Sequence, residues 1–577
     1  MREIAEHETD ILILGSGGAG LLAALHAHEA DPGLRITIAV KGLLGKCGCT
    51  RMVQGGYNVA LDPKDSIERH FMDTIRGGSW LPDQELAWRL VATAPERVRE
   101  LESAYGCFFD RNPDGSVHGK PFAGQTFDRT IHKGDLTGIE IINRLAEQVW
   151  ARGIERLEEH RAIELIPAAD GGRIAGVLLI DMRTGDYRFV RAAAVLLATG
   201  GGPTMYRYHT PSGDKSCDGM VMALRAGLRL RDAEMVQFHP TGLLAGPDTR
   251  LTGTVLEEGL RGAGGHLLNG AGERFMLRHE GAERATRDVV SRAIFEEMRQ
   301  GRATPNGGVH IAMGHLGPEK VRAMFKGMVE RCADVGHDLA AGLVEVVPTA
   351  HYLMGGVEVS VDCETGLAGL YCAGEDAGGV HGSNRLGGNG VANSTVYGGI
   401  AGEVMAVWVR QNRGAAAPDR QRIETARAFA DAPFARPAGD LNAIRLKLTD
   451  MMWEQAGIIR NRASLERAVK ALGELEQELA ATGLADAGRA FNLTWHDWLN
   501  LNSQVSMSRA IAAAALAREN SRGAHFRDDF PEPGDYAQSE YTRAAMSADG
   551  AMRVELAPVA FTRVRPGQSL IPEEQAA

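Results

Sequence analysis

The sequence predicts an α/β protein that begins with a Rossmann-like dinucleotide-binding domain and continues into further domains. Residues 11–14 form a continuous apolar run, a glycine cluster follows, and residues 21–25 contain only Leu and Ala. This is the order of a buried strand, a tight turn and a helix. At 577 residues the chain is also too long for a single hydrophobic core, so we expect roughly two or three domains.

The turn has the spacing Gly15-x-Gly17-x-x-Gly20, which is typical of dinucleotide binding when a strand precedes it and a helix follows. Gly15 permits the turn, Gly17 lets backbone amides approach a pyrophosphate, and Gly20 lets the helix pack closely on the strand. The phosphates would then lie at the helix N-terminus. The turn residues assigned to the cofactor are Gly15, Ser16, Gly17, Gly18, Ala19 and Gly20.

The overall composition excludes several classes of function. A net charge of -11 argues against a nucleic-acid partner, since a phosphate backbone requires clustered Lys and Arg. The seven cysteines include no CxxC pair, so we expect neither a metal site nor an iron–sulfur cluster held by this chain alone. The N-terminus has no leader pattern and no apolar stretch is long enough to span a bilayer. These observations predict a cytoplasmic protein that reaches a membrane, at its inner face, only through a partner.

The second strand, residues 35–40, ends in Lys41, where a standard dinucleotide fold carries an acid that holds the ribose hydroxyls. This departure weakens an NAD assignment. The loop that follows contains Thr50 and the run Gln54-Gly55-Gly56. It resembles the second loop of the flavoprotein subunits of succinate dehydrogenase and fumarate reductase, and of their relative L-aspartate oxidase.

Four later glycine-rich stretches resemble the same family in the same order: residues 192–202, 217–227, 370–375 and 384–389. The resemblance implies FAD as the cofactor. It also implies the remaining cofactor-binding residues, which are Lys41, Thr50, Gln54, Gly55, Gly56, Ala198, Thr199, Gly200, Asp218, Glu375 and Asn389.

The resemblance further implies a split FAD-binding domain with an inserted capping domain, followed by a C-terminal helical domain. The apolar spacing after residue 441 is helical, and the last segment is rich in Pro, Gly and charge. The predicted regions are the FAD-binding domain (1–240 and 349–412), the capping domain (241–348), the helical domain (419–530) and an extended tail (531–577).

Three side chains match substrate-binding positions of the family. His239 and His351 lie in the stretches Gln-Phe-His-Pro-Thr-Gly and Ala-His-Tyr-Leu-Met-Gly-Gly, and Arg385 follows Asn384. A planar guanidinium can hold one carboxylate through two hydrogen bonds, and two imidazoles can bind the other carboxylate. The three together suit a short dicarboxylate.

Proton transfer is implied for Arg287, which matches the arginine that the family places opposite the flavin. Because arginine keeps its charge in proteins, this role requires a strongly basic carbon centre and a relay that restores the proton. Glu258 and Arg261 have the Glu-x-x-Arg spacing of that relay. On a helix the same spacing also produces ordinary surface salt bridges.

The resemblance implies an FAD-dependent oxidoreductase of the fumarate reductase/succinate dehydrogenase type, which interconverts a dicarboxylate and its unsaturated form. Electrons would be exchanged through a separate iron–sulfur subunit, since this chain has no cluster motif. Two other enzymatic interpretations stay open: an L-aspartate-oxidase-like enzyme and a reductase of a substituted dicarboxylate. A non-enzymatic interpretation is also open, in which the chain is a flavin-bearing scaffold without turnover.

Two positions depart from the family pattern. Cys49 stands where membrane-bound relatives carry the His that attaches FAD covalently. We therefore expect non-covalent FAD and a lower flavin potential, which favours fumarate reduction or oxidase chemistry over succinate oxidation. A thioether from Cys49 is the alternative. Glu257 stands where the family has a Thr that donates to a substrate carboxylate. An ionised Glu257 would repel an anion, so the sequence predicts a protonated side chain, a side chain turned away from the pocket, or a substituted substrate that carries a donor.

Overall fold

The computed structural model of the chain describes residues 4–246, 249 and 251–575. Residues 1–3, 247, 248, 250, 576 and 577 lie outside the described residues. The outer ends of the predicted regions 1–240 and 531–577, and three positions of 241–348, are therefore not described.

The described residues alternate between strands and helices through the first two thirds of the chain and are mainly helical after residue 389. The strands are β1 (Ala5–Glu8), β2 (Ile11–Leu14), β3 (Ile36–Val40), β4 (Tyr57–Asn58), β5 (Gly119–Lys120), β6 (Thr130–Ile131), β7 (Glu155–Glu158), β8 (His160–Pro167), β9 (Ile174–Asp181), β10 (Tyr187–Arg191), β11 (Ala194–Leu197), β12 (Leu230–Arg231), β13 (Val236–Leu243), β14 (His266–Leu268), β15 (Val309–Ala312), β16 (Leu343–Leu353), β17 (Gly356–Val357), β18 (Leu370–Cys372), β19 (Ile459–Arg460), β20 (Phe526–Arg527), β21 (Glu540–Met546) and β22 (Met552–Pro558). The helices are α1 (Gly18–Ala30), α2 (Ile67–Gly77), α3 (Gln84–Ser103), α4 (Thr137–Ala151), α5 (Asp218–Arg225), α6 (Gly259–Gly262), α7 (Arg287–Arg299), α8 (Pro318–Met324), α9 (Lys326–Ala333), α10 (Asn389–Gln411), α11 (Arg420–Asp431), α12 (Leu441–Gln455), α13 (Arg462–Ala481), α14 (Leu493–Ala517) and α15 (Pro572–Gln575).

A five-stranded parallel sheet in the order β18-β11-β2-β3-β7 forms the centre of the molecule. All four residues of β2 are buried, as expected for a parallel strand with helices on both faces. Helix α10 returns against α1 at very close range, since a Cβ at Gly398 would lie 2.5 Å from the carbonyl oxygen of Ala19. The carboxyl ends of β2 and β11 therefore face the start of α1, where open α/β sheets bind their ligands.

The segment predicted as the capping domain contributes its own sheet and core. Strands β13, β16, β15 and β14 form an antiparallel sheet, and β13 and β16 continue directly into the central part of the molecule. Helix α7 packs on this sheet through Val290 and Ile294. The long strands β13 and β16 thus connect the two regions and can hold side chains at their junction.

The C-terminal helices α12, α13 and α14 pack on one another through an apolar face that includes Leu448, Leu472 and Trp498. Helix α14 also reaches the central region, where Asn500 and Ser503 form hydrogen bonds near the end of β3. No helix among the described residues is long and apolar enough to cross a membrane.

The tail contains a β-hairpin that the sequence analysis did not identify. Strands β21 and β22 form an antiparallel hairpin, and β21 pairs with β12 in the order β17-β12-β21-β22. After the hairpin, the side chain of Gln84 on α3 holds the backbone of Arg563 and Val564. The end of the described chain is therefore tied to the FAD-binding region by a sheet and by specific hydrogen bonds.

Candidate active site

A large cavity opens at the carboxyl ends of β2 and β11 and runs toward β13 and β16. Gly15 has φ +111°, and a Cβ there would lie 2.1 Å from the carbonyl oxygen of Ala198. A Cβ at Gly20 would lie 2.0 Å from the carbonyl oxygen of Gly15. Gly20 does not itself line the cavity; it allows the close packing of helix and strand that the motif predicts.

The second loop closes over the start of α1. The Thr50 hydroxyl accepts the Gly18 amide at 3.2 Å, which fixes the loop against the glycine turn. Cys49 lies in the same cavity wall, and burial raises the pKa of its thiol to about 12. The thiol is therefore protonated at neutral pH.

An acid does lie beside the end of β3, but it comes from α5. Lys41 Nζ donates to Asp218 at 2.9 Å and to Asn500 at 3.1 Å. Arg161 donates to the other Asp218 oxygen at 2.9 Å. Although burial alone would raise it, the pKa of Asp218 is held below its ordinary value by Arg161 and Lys41.

Glu375 lies behind the turn after β11. Its carboxylate accepts the backbone amides of Leu353 at 3.0 Å and Gly202 at 3.3 Å, and burial raises its pKa to about 7. Asn389 differs from the prediction, because it is fully buried and is absent from the cavity lining. Its side-chain oxygen accepts instead from Asn58, at 2.9 Å.

These features fit a flavin dinucleotide. The glycine turn leaves the N-terminus of α1 open to the cavity, since its N-cap Gly17 provides no capping side chain. The predicted cofactor residues that line this cavity are Gly15, Ser16, Gly17, Gly18, Ala19, Lys41, Thr50, Gln54, Gly55, Gly56, Ala198, Thr199, Gly200, Asp218 and Glu375.

The polar end of the cavity contains two histidines whose ring centroids are 5.5 Å apart. His239 lies on β13 and His351 on β16. The Nδ1 of His239 accepts the backbone amide of Thr241 at 3.3 Å, so its proton is on Nε2. Burial, together with Arg287, holds the pKa of both imidazoles well below the ordinary value. Both rings are therefore neutral and can donate or accept a hydrogen bond without carrying a charge.

Arg385 is a buried cation with no ion pair to a carboxylate among the described residues. Its side chain is 5% exposed, and its guanidinium lies 4.5 Å from the centre of the Tyr352 ring. One Nη donates to the Leu386 carbonyl at 3.3 Å, and Nε has no acceptor in the part of the chain that the structure describes. Burial, with Arg287 close by, lowers its pKa to about 10. A buried guanidinium of this kind favours an anionic ligand.

Arg287, by contrast, is fully engaged. Its Nε and Nη2 lie 2.8 and 2.7 Å from one oxygen of Glu258, and its Nη1 donates to the side-chain oxygen of Gln237 at 3.1 Å. Arg261 lies 3.4 Å from the other oxygen of Glu258. All three charged side chains are at most 8% exposed, so this is a buried chain of charges. Although burial would raise it, the pKa of Glu258 is lowered by Arg287 and Arg261.

Glu257 has a partner that the sequence did not suggest. Lys120 on β5 donates to its carboxylate at 3.1 Å and to the Gly134 carbonyl at 2.9 Å. Glu257 lines the cavity and is 4% exposed, and burial raises its pKa although Lys120 opposes that shift. The ion pair offsets the repulsion on which the prediction of a substituted substrate depended.

The structure therefore brings six predicted residues together at this end: His239, His351, Arg385, Arg287, Glu258 and Glu257. Arg261 lies just behind them. Gln237, Tyr352 and Lys120 were not predicted. The first two are in the same motifs as the histidines, whereas no motif marks Lys120.

Comparisons with known proteins agree with this geometry. A family model described as "FAD binding domain" matches residues 10–391, and one described as "Fumarate reductase flavoprotein C-term" matches residues 445–573. The chain is 41% identical to one of the subunits of the "Fumarate reductase (CoM/CoB)" of Methanothermobacter marburgensis, over 91% of this chain and 95% of that protein. It is 34% identical to the "Fumarate reductase flavoprotein subunit" of Escherichia coli, over 97% of this chain and 95% of that protein.

Solved structures of similar proteins superpose on the chain over nearly its full length. The flavoprotein of E. coli quinol fumarate reductase superposes with a TM-score of 0.92 at 33% identity, over 98% of this chain and 99% of that one. Mycobacterium smegmatis Sdh1 superposes with a TM-score of 0.86 at 35% identity, over 97% and 96% of the two chains. The L-aspartate-oxidase-like alternative is not favoured by these relatives.

Proposed function

The chain belongs to the family of fumarate reductase and succinate dehydrogenase flavoprotein subunits, which are FAD-dependent oxidoreductases of the CH–CH bond, and we propose that it interconverts a short dicarboxylate and its unsaturated form at the cavity described above. The observation that carries the proposal is Arg385, a buried guanidinium without a carboxylate partner among the described residues, next to two neutral imidazoles.

The charges around this end support a dianionic substrate. Arg287, Arg261, Arg385 and Lys120 provide four cations, and Glu257 and Glu258 provide two carboxylates. Among these six groups the cations outnumber the carboxylates by two, an imbalance that favours an anionic ligand. The two histidines add none, since both are neutral.

The protein side chains have separable roles in this proposal. Arg385 holds one carboxylate through two hydrogen bonds, and His239 donates from Nε2 to the other. This polarisation makes the carbon–carbon double bond electron-poor. The bound FAD supplies hydride chemistry. Arg287 holds the proton that the second carbon receives, and its contact with Glu258 and then Arg261 provides the relay that restores it.

The region of β13 to β16 keeps water out of the polar end. The same region supplies His239, Glu258 and Arg287. The segment that covers the polar end of the cavity therefore also provides the proton-transfer groups. Exclusion of water strengthens each charged contact and holds the reactants close together.

The electron partner in this proposal is a separate iron–sulfur subunit. The chain has no CxxC pair, and its cysteines are unpaired among the described residues. Several relatives are named as subunits of fumarate reductases. A cytoplasmic location, with membrane contact only through partner subunits, follows from the same proposal.

Anaerobic flavin titration tests the function. The flavin is reduced with dithionite, excess reductant is removed, and reoxidation is followed with fumarate, with crotonate as a matched monocarboxylate and with water. Fumarate should reoxidise the flavin rapidly and crotonate should not. An Arg385→Gln variant should lose the response to fumarate and keep FAD, whereas the exposed Arg299→Gln should behave as the wild type. Equal responses to fumarate and crotonate in the wild type would contradict a dicarboxylate site.

A further inference from the structure

We propose that Lys120 and Glu257 form a specificity-determining ion pair in which the Glu257 carboxylate takes the place of a third substrate carboxylate and thereby restricts the pocket to dicarboxylates. This inference rests on the proposed function, because it defines which acids the same pocket accepts.

The two residues of the pair come from segments that are far apart in the sequence and adjacent in the structure. Lys120 ends β5, in the small sheet β4-β6-β5, and Glu257 immediately precedes Glu258 at the start of α6. Their charged atoms are 3.1 Å apart. Glu257 contributes to the cavity wall, and Lys120 lies behind it and is absent from the lining. The carboxylate therefore separates the ammonium group from any bound ligand.

Glu257 occupies one of the hydrogen-bond donors of Lys120. An ammonium group has three donors. One is used by the Gly134 carbonyl at 2.9 Å and one by Glu257. Without the Glu257 carboxylate, Lys120 would offer a charge and two donors toward the cavity. These are the requirements for binding one further carboxylate.

Two neighbouring acids, Glu258 and Asp135, differ in whether they could replace Glu257 as the partner of Lys120. Glu258 is held by Arg287 and Arg261 on the opposite side. Asp135 is a different case, because it follows Gly134, whose carbonyl Lys120 already contacts, and it lies close enough to Glu257 to raise the pKa of that carboxyl. Loss of the Glu257 charge therefore makes this part of the wall more positive by one unit and removes the present carboxylate partner of Lys120.

The prediction concerns the relative affinity for a dicarboxylate and a tricarboxylate. Succinate and propane-1,2,3-tricarboxylate are titrated into the holoenzyme as it exists, and binding is read from the perturbation of the flavin absorbance, which does not depend on turnover. Wild type should bind the tricarboxylate at least about tenfold more weakly than succinate. Glu257→Gln, which is isosteric and neutral, should improve tricarboxylate binding about tenfold, because it removes the negative charge that repels a third carboxylate while Lys120 keeps its positive charge behind the wall.

The double variant Glu257→Gln/Lys120→Met makes the test specific, because it should lose the gain for the tricarboxylate while its succinate affinity stays within about threefold of that of Glu257→Gln. Lys133→Met is the matched control, since Lys133 lies near the same hairpin but pairs with Asp110; it should change neither affinity. If Glu257→Gln does not fold, Glu257→Thr carries the same expectation.

The outcomes are distinguishable. An unchanged ratio of affinities in Glu257→Gln, or an equal gain in the double variant, would overturn the specificity role of the pair while leaving the dicarboxylate function intact. If neither acid perturbs the flavin in any variant, the proposed function itself fails.

Discussion

Replacing Arg287 with Lys should abolish most turnover while leaving the bound flavin in place. The guanidinium donates to Glu258 at 2.8 Å and to Gln237 at 3.1 Å, and its Nη2 lies 2.7 Å from the same Glu258 oxygen. A Lys side chain is shorter and lacks the planar fork of the guanidinium, so it cannot hold both partners and a proton at the same positions. General acid catalysis contributes about 10²- to 10⁴-fold to a rate, so the loss of a correctly placed proton donor raises the barrier by roughly 3 to 5 kcal/mol.

The assay measures fumarate-dependent oxidation of a reduced dye by the holoenzyme, with FAD content and melting temperature measured on the same samples. Arg299→Lys is the control, since Arg299 lies on the same helix α7 and is about half exposed. The Lys variant of Arg287 should keep its FAD and its affinity for succinate within a few fold. Turnover within about threefold of wild type would refute the proton-transfer role, because no change of that size is compatible with a displaced acid.

Three further outcomes are expected. Gln237→Leu should lower turnover about tenfold or more with FAD retained, because Gln237 joins Arg287 to the backbone of Arg385; an unchanged rate in a dye assay would show that this bridge is dispensable. FAD should be released as free cofactor by acid precipitation, since Cys49 cannot form a histidyl link, and flavin that stays with the pellet would contradict this. Between pH 6 and 8 the two imidazoles should add no pH dependence to succinate binding, because the pKa values of His239 and His351 lie well below the ordinary value and both rings stay neutral. Glu375, whose pKa burial raises to about 7, ionises in this range and should weaken binding of the anion by less than about threefold as the pH rises; a tenfold loss per unit would show that a protonated imidazole binds the substrate.

Much of the fold could be predicted from local signals. The strand and glycine turn before α1 are a contiguous pattern, and the predicted second strand, residues 35–40, agrees with β3 to within one residue. The tail hairpin was missed although its signal was present: Asp549-Gly550 lies between β21 and β22, and Asp-Gly between two strands favours a tight hairpin turn. The segment is also rich in Pro and charged residues, and the prediction of an extended tail was based on that composition instead of on the turn.

The candidate site was predictable only where it is carried by motifs. His239, His351 and Arg385 lie in short stretches whose order along the chain identified them. Lys120 lies on a two-residue strand, so no periodicity marks it, and its position beside Glu257 arises from the meeting of segments 137 residues apart. Pairings of this kind depend on tertiary packing rather than on local sequence.

That pairing explains how an acid can occupy a position where the family has a neutral hydroxyl. An isolated Glu257 in this wall would carry a buried negative charge toward an anionic substrate, which costs free energy both by desolvation and by repulsion. Lys120 removes the net charge of the pair and its second contact with Gly134 fixes the ammonium group in place. Because each charge is costly without the other, the two positions are coupled: Lys120→Met alone should be more damaging to dicarboxylate binding than the double variant with Glu257→Gln, which leaves neither charge behind.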